Sequence, residues 1–427
     1  MKLLKTLLPI FAAMLQFTRF VLDNGLTVLH HFDATTPIAA VNILYNVGAK
    51  DEDPERTGFA HLFEHLMFGG SKNIANYDSE LQKASGENNA FTSNDITNYY
   101  VTLPVNNIET ALWLESDRMK ALDFNDKSLE TQRSVVIEEF KQRYLNQPYG
   151  DSWLKIRPLA YKQHPYRWAT IGKEIKHIED AVMDDVKAFF YNFYRPNNAI
   201  LSIAGNISLE KTKTLVNKWF GDIEKAEVKR NEIVKEPAQA EARKDTVTAN
   251  VPYDAIYMAW HMSERTNPKY YTTELITNIL AGSASSRLYN RLVKDAELFS
   301  EIHCYQLDST DEGLLMIQGN LADGISIEAG EIAILNELTK LTNHGCSSEE
   351  LEKVKNKKET IFTYSETEIL TKAMNLAYYE YIGNADLINN EMANFSAVTK
   401  DDILSVSREI FRAENSSTLY YLREKKA

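Results

Sequence analysis

The alternation of hydrophobic and polar residues predicts β-structure near the start of the chain. From Phe17 the sequence reads FTRFVLDNGLTVLHHFD, and an Asp-Asn-Gly triplet at 23–25 interrupts the alternation. Because Asn-Gly pairs suit the positive-φ positions of tight hairpin turns, this stretch predicts a β-hairpin. Two further runs, 39–47 and 98–103, have the apolar character of strands.

Helical periodicity follows these strands. Apolar residues recur at helical spacing over 58–68, and long helical stretches follow over 107–122 and 126–144. This order of elements predicts an α+β fold. We expect each domain to be a mostly antiparallel sheet packed against helices.

Two distant segments of the chain resemble each other. The stretch MDDVKAFFYNFYRPNNAILSIAGN from Met183 has a counterpart, TKDDILSVSREIFRAENSSTLYYLRE, from Thr399. Arg195 and Arg412 occupy matching positions, 217 residues apart (412 − 195 = 217). The constant offset indicates an internal duplication; the alternative is chance similarity between two helix-then-strand segments.

The length of 427 residues is compatible with two domains. A charged stretch at 229–245, KRNEIVKEPAQAEARKD, lacks apolar periodicity and predicts a linker. We therefore expect an N-terminal extension over 1–16, a first domain over 17–228 and a homologous second domain over 246–427.

Composition excludes several classes of protein. The formal net charge of −13 argues against nucleic-acid binding, and no segment approaches the roughly 20 apolar residues that span a bilayer. The start, MKLLKTLLPIFAAMLQF, has the lysines and apolar run of an export signal, but Pro9 interrupts the run and no small-x-small cleavage site follows. A cytoplasmic protein is favoured, with export to the periplasm as the alternative.

The segment GFAHLFEHLMFGG at 58–70 carries the candidate chemistry. His61 and His65 are four residues apart, so both imidazoles project from one helix face and can hold one metal ion. Two imidazoles with one carboxylate and an open position form the ligand set of hydrolytic zinc. Glu64 lies beside them as a candidate general base for an attacking water. The alternative is a pair of histidines at the edge of the core beside a solvated glutamate.

HLFEH is the inverted H-x-x-E-H arrangement, and the chain resembles the pitrilysin and insulysin family of zinc metallopeptidases, including mitochondrial processing peptidases. The stretches LDNGLTV, ENNAFTSNDITNYY and QRSVVIEEF follow in the order and spacing of that family, and the resemblance extends over the whole chain after Phe17. It implies a metalloendopeptidase with one zinc ion per chain, acting on peptides or small unfolded polypeptides.

The resemblance also implies a third metal ligand, a glutamate at the end of a later helix. Glu138 and Glu139 are both candidates, and because neighbours differ by about 100° around a helix, only one can face the metal. Matching the stretch residue by residue favours Glu139. Seven residues earlier, where many relatives have a second acid, this chain has Gln132, which can orient a ligand but carries no charge.

Residues Asn89, Ala90, Phe91 and Thr92 resemble the edge strand along which such enzymes bind substrate. An extended peptide added to a sheet edge is held mainly by main-chain hydrogen bonds. The alternative is that this stretch is only a polar connection into the next strand.

The second half has no histidine in the matching region, ILAGSASSRLYNRLVKDAELFSEI, so it predicts no second zinc site. In the family, a cooperating half carries an arginine and a tyrosine here, and the corresponding positions in this chain are Val293 and Ser300. Half-length relatives pair with another chain. The resemblance therefore implies a heterodimer, in which a homologous non-zinc subunit supplies the arginine and tyrosine.

Overall fold

The computed structural model describes residues 14–424, which fold into two β-sheets surrounded by α-helices. Residues 1–13 of the predicted N-terminal extension lie outside the described range. The strands are β1 Thr18–Val21, β2 Thr27–Phe32, β3 Ile38–Tyr45, β4 Glu87–Thr92, β5 Thr97–Pro104, β6 Ala199–Gly205, β7 Arg243–Ala249, β8 Ala255–Met262, β9 Phe299–Leu307, β10 Gly313–Leu321 and β11 Ser416–Arg423.

The helices are α1 Phe59–Leu66, α2 Tyr77–Lys83, α3 Ile108–Lys120, α4 Asp126–Phe140, α5 Ser152–Ala160, α6 Ile175–Glu179, α7 Met183–Phe193, α8 Leu209–Phe220, α9 Lys269–Ala281, α10 Ile327–His344, α11 Ser348–Ser365, α12 Ile369–Tyr381, α13 Glu391–Ala397 and α14 Lys400–Ile410. Two π-helical turns, Lys141–Leu145 and Tyr289–Asp295, accompany them.

Apart from β1, which has no counterpart among the described strands of the second sheet, the two sheets have equivalent strand orders. The first is ordered β1-β2-β6-β3-β5-β4 and the second β7-β11-β8-β10-β9. Each contains one parallel pair, β2 with β6 and β7 with β11, and its other pairs are antiparallel. Strand β11 begins 217 residues after β6 (416 − 199 = 217), which is the offset between the repeated segments. The predicted α+β fold with two duplicated domains is confirmed.

The predicted hairpin is present, with β1 and β2 paired antiparallel from Thr18 opposite His30 to Val21 opposite Thr27. Asn24 holds the turn of this hairpin against the end of α8, because its buried side-chain amide donates to the carbonyl oxygens of Phe220 and Ile223 at 2.7 and 2.9 Å.

One face of each sheet packs on helices of its own half. Alternate residues of β3, including Val41 and Ile43, join the core formed with α1, α3, α7 and α8. Alternate residues of β8, including Met258 and Trp260, join the corresponding core with α9, α10 and α14. Alternate residues join one core because successive side chains of a strand point to opposite faces of the sheet.

The opposite face of each sheet is covered by a helix from the other half. Helix α12 lies on the first sheet, where Leu376 packs with Leu29. Helix α5 lies on the second sheet, where Ile156 packs with Tyr257 and Leu419. Each half therefore completes its hydrophobic core with a helix of its partner half.

The division of the chain at 229–245 stays a prediction, and β7 already begins at Arg243. In the same segment Arg230 pairs with Asp51 and donates to Asn198 Oδ1 at 2.9 Å, which holds this stretch against the first half. Within residues 14–424, no helix has both the length and the apolar character needed to cross a bilayer.

Candidate metal and catalytic site

The helix that carries the H-x-x-E-H residues begins at a position that requires glycine. Gly58 has φ +90°, and a Cβ there would come within 2.6 Å of the carbonyl oxygen of Ile171. The oxygens of the buried carboxyl group of Glu52 accept hydrogen bonds from the backbone N–H groups of Gly58 at 2.9 Å and Ala60 at 2.8 Å. These bonds satisfy two of the donors that a helix N-terminus leaves without partners.

The apolar face of α1 anchors it in the core of the first half. Its buried residues are Phe59, Ala60, Leu62, Phe63 and Leu66. The ring of Phe63 stacks on Phe189 and Tyr194, with centroids 4.8 and 5.5 Å apart. With this face fixed, the polar positions 61, 64 and 65 are turned together away from the core.

His61, His65 and Glu139 meet at one point. Glu139 Oε2 lies 3.5 Å from His61 Nε2 and 3.4 Å from His65 Nε2. Within residues 14–424, this is the one group of three His, Cys, Asp or Glu side chains whose ligand atoms all lie within 4.8 Å of one another. The side chains of His61, His65 and Glu139 are 12%, 24% and 18% exposed, so the cluster is partly accessible from solvent.

Helix α4 turns Glu139, and not Glu138, towards the histidines. Glu138 points away, with its side chain 61% exposed and its carboxylate accepting from Lys141 Nζ at 2.7 Å. The second oxygen of Glu139, Oε1, lies 3.1 Å from Arg143 Nη1 in the π-helical turn that follows α4. One oxygen of Glu139 therefore faces the histidines and the other faces an arginine.

The surroundings set the charge states of these groups. Burial lowers the pKa of His61 to about 4, so its imidazole is neutral at neutral pH and has a free lone pair. Contact with His65 lowers the pKa of Glu139, which keeps the carboxylate ionised. A neutral imidazole and an ionised carboxylate are the forms in which these side chains bind a metal ion.

Glu64 lies beside this cluster with its carboxylate held by Thr92. The Thr92 hydroxyl donates to Glu64 Oε2 at 2.6 Å. Burial raises the pKa of Glu64, and the hydrogen bond from Thr92 acts in the opposite direction. A carboxylate with a raised pKa beside a group of candidate metal ligands is suited to accept a proton from water.

The predicted strand residues Asn89, Ala90, Phe91 and Thr92 lie on β4, the terminal strand of the first sheet. Strand β4 pairs with β5 on one side, from Glu87 opposite Thr102 to Thr92 opposite Thr97. Among the described residues no strand pairs with its other side, which leaves main-chain groups free to pair with an extended peptide.

The remaining predicted positions are not members of the cluster. Gln132 is half-buried on α4, two turns before Glu139. Val293 lies in a π-helical turn, and Ser300 lies exposed on β9, where its hydroxyl donates to the Asn320 carbonyl oxygen. The nearby Arg287 is engaged by Glu350 through two 2.7 Å hydrogen bonds.

Sequence reasoning missed three contacts of the site. Arg143 follows Glu139 by four residues, so the helical i, i+4 rule could have identified it. Glu52 precedes Gly58 by six residues, outside any capping pattern. The Thr92 hydroxyl contact with Glu64 joins a strand to a helix, and no local sequence signal indicates it.

The cluster fits a zinc ion by the chemistry of its donors. Two imidazole nitrogens and one carboxylate oxygen, with a further position left open, are typical of catalytic rather than structural zinc sites. His61 Nδ1, in contrast, is buried and has no hydrogen-bond partner among residues 14–424, so the usual outer support of a zinc-binding histidine is missing there.

Two family profiles match this chain. The family profile described as Insulinase (Peptidase family M16) matches residues 27–151, which include the cluster, and the profile described as Peptidase M16 inactive domain matches residues 180–358. The second profile includes residues 279–302, the stretch of the second half that lacks histidine at the positions matching the zinc motif.

Similar proteins carry related names. A zinc protease named PqqE from Helicobacter pylori is 28% identical over 93% of this chain and 91% of its own length. The β subunit of the mitochondrial processing peptidase of Saccharomyces cerevisiae is 28% identical over 48% of this chain and 45% of its own. A protease structure from Helicobacter pylori has a TM-score of 0.92 and 26% identity, covering 96% of this chain and 100% of that chain.

Proposed function

The chain belongs to the M16 peptidase family, and we propose that it is a zinc metalloendopeptidase subunit that hydrolyses peptides or small unfolded polypeptides. The observation that carries this proposal is the convergence of His61, His65 and Glu139 beside the carboxylate of Glu64. Relatives named zinc proteases support the choice of metal.

In this proposal His61, His65 and Glu139 hold one zinc ion per chain. When bound, zinc supplies Lewis acidity, which polarises a carbonyl group and makes water a stronger acid. Glu64 accepts the proton of the attacking water and returns it to the nitrogen of the departing amine. A positioned acid–base group of this kind contributes roughly 10² to 10⁴ in rate.

The substrate binds as an added strand along the free side of β4, through the backbone of Asn89, Ala90, Phe91 and Thr92. Main-chain hydrogen bonds are independent of side chains, so this mode accepts varied sequences. The proximity of β4 to α1, through Thr92 and Glu64, supports this placement because a bound peptide then passes beside the cluster.

A homologous non-zinc subunit completes the enzyme in this proposal by supplying an arginine and a tyrosine. The support is that Val293 and Ser300 occupy the corresponding positions here, and that Arg287 is already paired with Glu350. The similarity to one subunit of a mitochondrial processing peptidase agrees with a two-chain enzyme. The cytoplasmic location, or the periplasm as the alternative, stays a prediction.

The test is cleavage of a mixed library of unstructured peptides by the zinc-loaded chain, with and without a homologous non-zinc subunit. Glu64→Gln is compared with wild type at equal bound zinc, and Glu138→Gln serves as the matched control because Glu138 faces solvent. We expect Glu64→Gln to bind zinc but lose cleavage, Glu138→Gln to keep both, and the added subunit to increase cleavage.

Zinc binding without cleavage by wild type in every pairing would replace catalysis with peptide capture or a structural role. Equal cleavage by wild type and Glu64→Gln would remove Glu64 as the base while leaving the peptidase assignment in place. If the added subunit leaves the cleavage rate unchanged, the heterodimer is no longer part of the proposal.

A further inference from the structure

The hydroxyl group of Thr92 makes the contact from which we draw a further inference. Its Oγ1 donates to Glu64 Oε2 at 2.6 Å, a short hydrogen bond to a carboxylate. Among residues 14–424, no other group hydrogen-bonds this carboxylate. The orientation of Glu64 therefore depends on one hydroxyl group, which belongs to a different element from the helix that carries Glu64.

The sheet register determines where this hydroxyl points. Thr92 lies opposite Thr97 and Ala90 lies opposite Tyr99, and because strand side chains alternate, Thr92 and Ala90 share one face. Ala90 packs against the core that contains α1. The Thr92 side chain is thus directed towards the helix layer, whereas Phe91 on the other face is exposed.

The turn after Thr92 is rigidly held. Ser93 N–H donates to the Ile96 carbonyl oxygen at 2.8 Å. The buried Asp95 accepts from the Tyr166 hydroxyl at 2.6 Å, from Thr310 N–H at 3.0 Å and from Lys50 Nζ at 2.8 Å. Thr310 belongs to the second half of the chain, so both halves fix the end of the strand that presents Thr92.

We propose that Thr92 is a positioning residue that holds one oxygen of Glu64 and leaves the other oxygen to accept the proton of the attacking water. The terminal torsion of a glutamate is broad and is fixed only by its contacts, so a single hydrogen bond restricts it strongly. Because Thr92 ends the strand proposed to bind substrate, the same residue links peptide binding to the orientation of the base. This inference rests on the proposed function.

The test compares Thr92→Val, which keeps the β-branched shape and removes the hydroxyl, with Thr92→Ser, which keeps the hydroxyl. We expect kcat of Thr92→Val to fall by about 10- to 100-fold, as is typical for loss of a hydrogen bond to a charged group, with little change in KM or in bound zinc. Thr92→Ser restores most of kcat. Thr102→Val on the neighbouring strand is the control, since Thr102 lies on the opposite face.

Crystal structures of the zinc-loaded wild type and variants provide a measurement that does not depend on catalysis. We expect the Glu64 carboxylate to adopt new or multiple orientations in Thr92→Val and to return to its wild-type position in Thr92→Ser. If Thr92→Val does not fold, Thr92→Ala replaces it as the variant without a hydroxyl.

A single wild-type orientation of Glu64 in the variant without the hydroxyl overturns the inference, as does a wild-type kcat for that variant or a failure of Thr92→Ser to restore kcat. If wild type cuts no peptide, the proposed function fails, whereas the crystallographic comparison still decides whether Thr92 orients Glu64.

Discussion

Exchange of one carboxylate for an amide at two adjacent positions tests the assignment of the third metal ligand. Glu139 Oε2 lies 3.4 to 3.5 Å from both histidine nitrogens, whereas Glu138 faces solvent beside Lys141. Glu139→Gln removes the only negative charge of the three-residue cluster and replaces its anionic ligand oxygen by a neutral amide oxygen, which binds zinc more weakly. Glu138→Gln makes the same chemical change one residue earlier.

The expected magnitude follows from this geometry. Loss of residues that merely support a ligand commonly costs 10- to 100-fold in metal affinity, so loss of a direct ligand is expected to cost about 100-fold or more, or about 3 kcal/mol. Glu138→Gln removes an exposed surface pair with Lys141, which contributes about 0 to 1 kcal/mol to folding and nothing to the cluster.

The assay is competition for zinc against a chromophoric chelator at neutral pH, with circular dichroism to show that both variants are folded. We expect weak zinc binding by Glu139→Gln and wild-type binding by Glu138→Gln. Equal losses in the two variants, or wild-type affinity in Glu139→Gln, would refute the assignment of Glu139.

Three further predictions concern the framework around the site. Arg118→Met leaves Glu115 fully buried without its ion-pair partner, so the free energy of unfolding in urea should fall by about 3 to 5 kcal/mol. Replacing both residues by Met should recover most of this loss, and an equal loss in the double variant would contradict the reasoning. Burial raises the pKa of Glu52 to about 8 from its ordinary 4.5, so the folded state keeps a proton that the unfolded state has released. The free energy of unfolding should therefore fall between about pH 5 and pH 8, and urea unfolding at these two pH values should show a smaller fall for Glu52→Gln. An equal fall in wild type and variant would show that Glu52 is ionised in the folded protein. Leu376→Ala should lower the free energy of unfolding by about 2 to 5 kcal/mol because it opens a cavity against Leu29. Calorimetry should show one unfolding transition for both halves, and two separate transitions would mean that the halves unfold independently.

The local elements and the first part of the site could be predicted because their signals are short in sequence. The hairpin follows from its Asp-Asn-Gly turn, and the placement of His61, Glu64 and His65 on one helix follows from their spacing. The repeated segments correspond to α7 with β6 and to α14 with β11. In each case, residues close together in the chain carry the information.

The rest depends on how distant elements pack. Helical geometry showed that only one of Glu138 and Glu139 could face the metal, but the choice depends on the rotation of α4 against α1. The sequences of α5 and α12 do not indicate that each of these helices covers the sheet of the other half. The hydrogen bond from Thr92 to Glu64 depends on the register of a whole sheet.

The exchange of α5 and α12 between the halves has a consequence for synthesis on the ribosome. The last strand of the first sheet ends at Gly205, and α12 ends at Tyr381, 176 residues later (381 − 205 = 176). At about 5 to 20 residues per second, the apolar face of the first sheet stays uncovered for about 10 to 35 seconds after its strands have been made. The half that contains His61, His65 and Glu139 is therefore vulnerable to aggregation until nearly the whole polypeptide has been translated.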